Sequence, residues 1–159
     1  MPAPSNFQEA PHDFNREARP RGVPHGDPVS DRRRSEPLLT FLEAAFGAKI
    51  LHRTDRPDGE VAHAEIQIGD SRLMLSGSQP QWPALPCAIY LYVEDCDALY
   101  AQALAAGAKS TQEPADMFYG DRHGGVIDPS GNQWWIATHI EDVSPEELER
   151  RSAERAAAG

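Results

Sequence analysis

Two stretches sixty positions apart end in the same way: residues 43–49 read EAAFGAK and residues 103–109 read ALAAGAK. In each, a helical run closes on a glycine suited to the left-handed stop, and Ala-Lys then leads into an extended run. Helix, glycine stop and strand recurring at a fixed offset constrain the chain to a duplicated unit. Its 159 residues leave room for two copies and short extensions.

In the first copy, Leu38, Leu39, Phe41, Leu42, Ala45 and Phe46 predict a helix over 38–46. A strand is expected over 48–54, a turn at Pro57-Asp58-Gly59, and an alternating strand over 61–68. Gly69-Asp70-Ser71 then turns the chain into a strand over 72–76. The second copy gives a strand over 89–94, a helix over 97–106 closed by Gly107, and strands over 109–112, 124–128 and 133–139. Each module is therefore a helix plus three strands, preceded in the second copy by one more. The counterpart of that extra strand falls on residues 28–34, PVSDRRR, which has a proline and no period-2 pattern. The first strand of module 1 is expected to be degraded or missing. It is then either a poor edge strand, or it leaves three strands needing cover from a partner or the N-terminal tail.

Asp128-Pro129-Ser130-Gly131-Asn132 is strong turn chemistry. Ser144-Pro145-Glu146-Glu147 reads as a capping box, so a last helix begins there. Three regions follow: residues 1–35, proline-rich and poor in large apolar groups, as a disordered or loosely attached extension; 36–143 as the folded domain; and 144–159 as a C-terminal helix and tail.

A formal charge of −10 and a pI near 4.9 argue against a nucleic-acid partner, and the short run Arg32-Arg33-Arg34 is flanked by acids. No segment has the apolar length to span a bilayer, and the N-terminus lacks a signal-peptide core. A cytoplasmic protein with no membrane partner is expected. Cys87 and Cys96 have no metal or redox spacing and read as reduced thiols. GDRHGG at 120–125 has neither phosphate-loop nor dinucleotide spacing, and no nucleophile elbow is present.

Alternation separates the sheet faces. Helices would cover the apolar set; the opposite set contains His63, Glu65, Gln67, Met74, Tyr90, Tyr92, Trp135 and His139. A solvated face explains His63, Glu65 and Gln67. It explains Tyr90, Tyr92 and Trp135 less well, and these suit a cup for a planar or amphiphilic small molecule. His63, Glu65 and His139 form an alternative His/carboxylate site for one divalent metal ion. Arg122, expected in a loop beside Asp121, is a candidate anion clamp beside the ordinary reading of a loop salt bridge.

The duplicated module, the FGAK and AGAK helix exits, LYVEDCDAL at 91–99 and YGDRHGGVIDPSGNQWWIATHIEDVSPEE at 119–147 together resemble the vicinal oxygen chelate superfamily. That group includes glyoxalase I, bleomycin resistance proteins, fosfomycin resistance enzymes and extradiol dioxygenases. The resemblance covers residues 36–151 and points to the PhnB-like subgroup. It implies an α+β fold of paired βαβββ modules, a cup-shaped mixed sheet with helices outside, and a homodimer. It also implies that the metal ligands of metal-dependent members would fall on Ala88 (fifth strand), Trp135 (eighth) and near Met74 (fourth), with no clear counterpart on the first. None of these holds a hard cation well. The expected function is a metal-free, cofactor-free small-molecule-binding protein, its ligand held by Tyr90, Tyr92, Trp135, Met74, Gln67 and Arg122. The alternative is a metal-dependent lyase or isomerase using His63, Glu65 and His139.

Overall fold

The computed structural model describes residues 35–158. The expected extension, apart from Ser35, and the degraded first strand at 28–34 lie outside the described residues. Among the described residues there are three helices and seven strands: α1 (Ser35–Phe46), β1 (Lys49–Asp55), β2 (Val61–Ile68), β3 (Ser71–Ser76), β4 (Ala88–Tyr92), α2 (Cys96–Ala105), β5 (Lys109–Asp116), β6 (Asp121–Ile127), β7 (Gln133–His139) and α3 (Pro145–Ala158).

The duplication is plain in the topology. One sheet has the order β1-β2-β3 and the other β4-β7-β6-β5, so each copy contributes an antiparallel meander. In the second copy, β4 adds in parallel to β7. Both helix exits take the predicted form, with Gly47 at φ 61° and Gly107 at φ 104°. Lys49 and Lys109 open β1 and β5 sixty positions apart.

Periodicity places the core between helices and sheets. Leu39, Leu42 and Ala45 of α1 meet Ala64 and Ile66 of β2, Val126 of β6, and Trp134 and Ile136 of β7, all within 2% of full burial. Phe46 lies 4.6 Å from the Trp134 ring, and Gln102 of α2 donates to the Ala44 carbonyl of α1, joining the two copies. Each fully buried large aliphatic side chain contributes about 1.5–3 kcal/mol relative to exposure.

The turn before β7 is organised by Asp128, which is 3% exposed. Its carboxylate accepts from the Ser130 and Asn132 backbone, from Asn132 Nδ2 and from Trp134 Nε1, at 2.8–3.0 Å. One side chain therefore fixes both the turn and the indole of the core.

Beyond small shifts at the ends of α1, β4 and α2, the structure departs from the sequence expectation at β5, at β6 and at the cap of α3. β5 runs on through Pro114, which an edge strand tolerates because its outer amides need no partner. β6 begins at Asp121 rather than at residue 124, because its polar residues are paired inside the protein rather than solvated in a loop. The α3 capping box is half formed: Ser144 Oγ accepts from the Glu147 amide at 3.3 Å, while the Glu147 carboxylate binds Arg150 and Arg151.

Candidate functional site: a buried carboxylate under an aromatic face

Strand pairing puts Tyr90 opposite Trp135, and both Tyr92 and His123 opposite Ala137. Because Ala137 is small and fully buried, the tyrosines of β4 reach across β7 to the side chains of β6. They converge on Asp121, which is 4% exposed. Its Oδ2 accepts from the Tyr92 hydroxyl at 2.8 Å and from the Tyr90 hydroxyl at 3.1 Å, and its Oδ1 lies 3.0 Å from His139 Nδ1. His139 Nε2 continues to Asp142 at 2.9 Å. On the other side, His123 Nδ1 lies 3.0 Å from the Tyr90 hydroxyl and 3.1 Å from that of Tyr119.

The rings form a continuous layer. Centroids lie 5.2 Å apart for Tyr90 and Tyr92, 5.7 Å for Tyr90 and His123, and 5.1 Å for His123 and Trp135. Gly125 makes the Trp135 position possible. A Cβ there would stand 2.6 Å from Trp135 Cζ3 and 2.7 Å from Thr111 Oγ1, so the indole lies directly on the β6 backbone.

Burial opposes ionisation of Asp121, but the hydrogen bonds from His139, Tyr92 and Tyr90 outweigh it and hold its pKa below the usual carboxylate value. Hydrogen bonds to Asp121 and then Asp142 raise His139 above its ordinary value. Burial lowers His123, favouring the neutral imidazole, although the Asp121 charge acts in the opposite sense. Burial, followed by hydrogen bonds with Tyr119 and Asp121, raises Tyr90. The cluster thus holds an anion, a neutral imidazole and phenols that keep their protons.

A cavity of about 670 Å³ opens on this layer, lined by Gln112, Met117, Phe118, Tyr119, His123 and Trp135, with Ser152, Arg155 and Ala156 of α3 as a wall. Arg155 lies over the Phe118 ring, 5.5 Å from its centroid. Arg151 ties α3 down by donating to Glu141, Glu147 and the Phe118 carbonyl. A second cavity, of about 580 Å³, lies beside α1 and β3 and is lined by Leu38, Leu42, Leu73, Met74, Trp82 and Leu85 among others. Its lining includes Glu60 and Arg56, whose guanidinium donates to the carbonyls of Gly77 and Ser78. The aromatic face is therefore where the chemistry concentrates.

Residues 33–136 match the glyoxalase/bleomycin resistance protein/dioxygenase superfamily. The chain belongs to this superfamily. The uncharacterized protein Mb0911c of Mycobacterium bovis is 33% identical over 122 residues, which cover 70% of this chain and 80% of that protein. Among solved structures, TioX from Micromonospora sp. ML1 superposes with a TM-score of 0.57 at 24% identity, covering 66% of this chain and 89% of that one. TnmS3, an antibiotic-binding protein from Streptomyces sp. CB03234, gives 0.53 at 21% identity, covering 65% and 85%. These likenesses show the glyoxalase fold.

Within the superfamily, the positions implied for a divalent ion do not fit one here. Ala88 offers a methyl group and Trp135 an indole packed on Gly125, while the thioether of Met74 lies on β3 in the other sheet. None supplies the oxygen or imidazole donor that a hard or borderline cation needs. The alternative ligands are apart: His63 and Glu65 lie on β2, with Glu65 bound to Arg72 at 2.7 Å, and His139 lies on β7 with Asp121. Among the described residues, no group of three His, Cys, Asp or Glu side chains is placed to hold a metal.

Of the sequence-predicted ligand-binding residues, the structure brings together Tyr90, Tyr92 and Trp135. It does not bring Met74 and Gln67 to them: Met74 is 74% exposed on β3, and Gln67 of β2 donates to the Gly69 carbonyl. Arg122 lies in β6 rather than a loop and alternates away from Asp121 and His123. It makes a bidentate pair with Asp97 at 2.6 and 2.8 Å and a further bond to Asp116 at 2.8 Å, so its fork of donors is occupied. Sequence reasoning missed the roles of Tyr119, Asp121 and His123. Alternation extended backwards from Gly125 would have placed His123 and Asp121 on the face of Trp135.

Both cysteines are free, with Cys96 buried and Cys87 exposed. Among the described residues, no helix is long and apolar enough to cross a membrane.

Proposed function

We propose that this chain is a small-molecule-binding member of its superfamily that works without a metal and holds a flat aromatic ligand in the cavity over Trp135 and His123. The observation that carries this reading is that Trp135, His123 and Tyr119 line one cavity, with Tyr90 packed against His123 behind them, in a chain where the resemblance implies metal ligands at Ala88 and Trp135. Stacking and shape then supply the affinity, with each well-placed aromatic contact contributing about 0.5–1.5 kcal/mol beyond area burial. Arg155 beside Phe118 favours a ligand carrying an anionic substituent at its outer end.

Placement in the PhnB-like subgroup, a cytoplasmic location and a homodimer complete the proposal. Met74, Trp82 and Leu85, which are 70–81% exposed and border one cavity, support self-association through that side. Light scattering of the Trp82→Glu/Leu85→Glu double variant tests the dimer; a dimeric variant would place the interface elsewhere.

The binding reading is tested by calorimetric titration with 6-methoxynaphthalene-2-sulfonate, a planar, soluble probe with an anionic end. Saturable binding that weakens by roughly 1–3 kcal/mol in Trp135→Ala is expected. Binding unaltered by that substitution would place the ligand elsewhere.

A further inference from the structure

We infer that His123 presents a bare Nε2 lone pair to the cavity, so that the site selects aromatic ligands carrying a hydrogen-bond donor such as a phenolic or enolic hydroxyl. The inference rests on the binding reading above and deepens it to a ligand class.

Proton accounting within the cluster carries it. Asp121 is an acceptor-only group when ionised, and it lies 3.1 Å from the Tyr90 hydroxyl. Tyr90 has one proton, and the charge-assisted bond to the carboxylate is the stronger place for it. The Tyr90 oxygen then faces His123 Nδ1 at 3.0 Å with only lone pairs to offer. Two lone pairs cannot oppose each other at that distance, so Nδ1 carries the hydrogen and donates it to Tyr90. In a neutral imidazole the other nitrogen must then be the acceptor. Tyr119, whose hydroxyl is 3.1 Å from the same Nδ1, shares that donor through its oxygen. Burial of His123, which is 8% exposed, keeps the ring neutral.

The far side of the ring is open. Nε2 has no hydrogen-bond partner among the described residues, yet it is not among sealed, unsatisfied atoms, and His123 lines the cavity. A ligand hydroxyl in the plane of the imidazole completes its bonding. An ether or a bare ring leaves it dependent on water, and a carbonyl acceptor would be repelled. Tyr90 acts here as a positioning residue: it sets the tautomer without touching the ligand.

Two measurements decide the matter. Nitrogen-15 NMR of the labelled full chain, with the ring assigned by His123→Gln, is expected to show a protonated Nδ1 and an unprotonated Nε2, and Tyr90→Phe should move the proton toward Nε2. A protonated Nε2 in the unmodified chain would overturn the inference. Calorimetry should show 6-hydroxynaphthalene-2-sulfonate binding about tenfold more tightly than its 6-methoxy analogue, as one buried hydrogen bond allows. In His123→Phe the ratio should collapse toward one. Equal binding of both probes to the unmodified chain would overturn the inference and leave the stacking reading standing. Binding of neither would overturn the stacking reading, and the ligand class with it.

Discussion

Gly125 and Asp128 show how much of this structure hangs on single residues. Gly125→Ala would drive a methyl group into Trp135 Cζ3 and Thr111 Oγ1, displacing the indole and costing about 1–3 kcal/mol; urea denaturation and near-ultraviolet circular dichroism report both effects. Asp128→Ala strips the partner from the buried Trp134 Nε1 and from two turn amides, with an expected loss of about 2–4 kcal/mol in the same assay. At His139 the prediction concerns pH. Its folded pKa is raised above the ordinary 6.5, so its contribution is fully present below that value and fades as pH rises through the raised one. Asp121 is depressed below 3.8, so its contribution is present above that value and fades as pH falls through the lowered one. His139→Gln should therefore reduce the fall in urea midpoint between about pH 6 and about pH 8, and should also weaken the acid limb, because His139 is one of the groups that hold Asp121 ionised. An unchanged difference between the two midpoints would separate His139 from the stability of the cluster. Trp135, Tyr90 and Tyr92 were legible in the sequence because alternation within their own strands put them on one face. Asp121 and His123 were not, because a charged DRH run reads as solvated until the tyrosines of a strand thirty residues earlier are known to reach it.

At the level of elements, the sixty-residue echo fixed the order of helices and strands, since a glycine stop leading into Ala-Lys specifies a local backbone path that needs no tertiary partner. Register between distant strands has no such local signal. The parallel pairing of β4 with β7 is one that no local feature of the sequence announces, although it is what brings Tyr90 beside Trp135. β5 runs past the expected end at residue 112 and carries Pro114, and nothing local announces that this strand lies at an edge where a proline is tolerated. The last helix has a different character. α3 is held by exposed and partly exposed ion pairs of Arg150 and Arg151, not by a buried apolar stripe. Such pairs contribute little, about 0–1 kcal/mol each. Arg151→Ala should loosen α3 without unfolding the domain: hydrogen exchange is expected to quicken over 145–158 while β6 and β7 stay protected. Loss of protection throughout would mean that α3 is integral to the core.

For the whole molecule, the duplicated fold separates two tasks. The core between helices and sheets carries stability, and the outer face of β4, β7 and β6 is where we propose that recognition takes place. Trp134 and Trp135 divide those tasks between neighbouring residues, the first sealed in the core and the second presented to the cavity. This superfamily member retains the scaffold and carries an indole and a methyl group at positions where the resemblance implied metal ligands. The central claim is that this face binds aromatic molecules by stacking. Its most direct test is titration of the full chain and of Trp135→Ala with 6-methoxynaphthalene-2-sulfonate, each preceded by a check that the variant keeps its fold. Stoichiometric binding to the unmodified chain, weakened by at least about fivefold in the variant, is the predicted result. No binding, or equal binding to both proteins, would contradict the account.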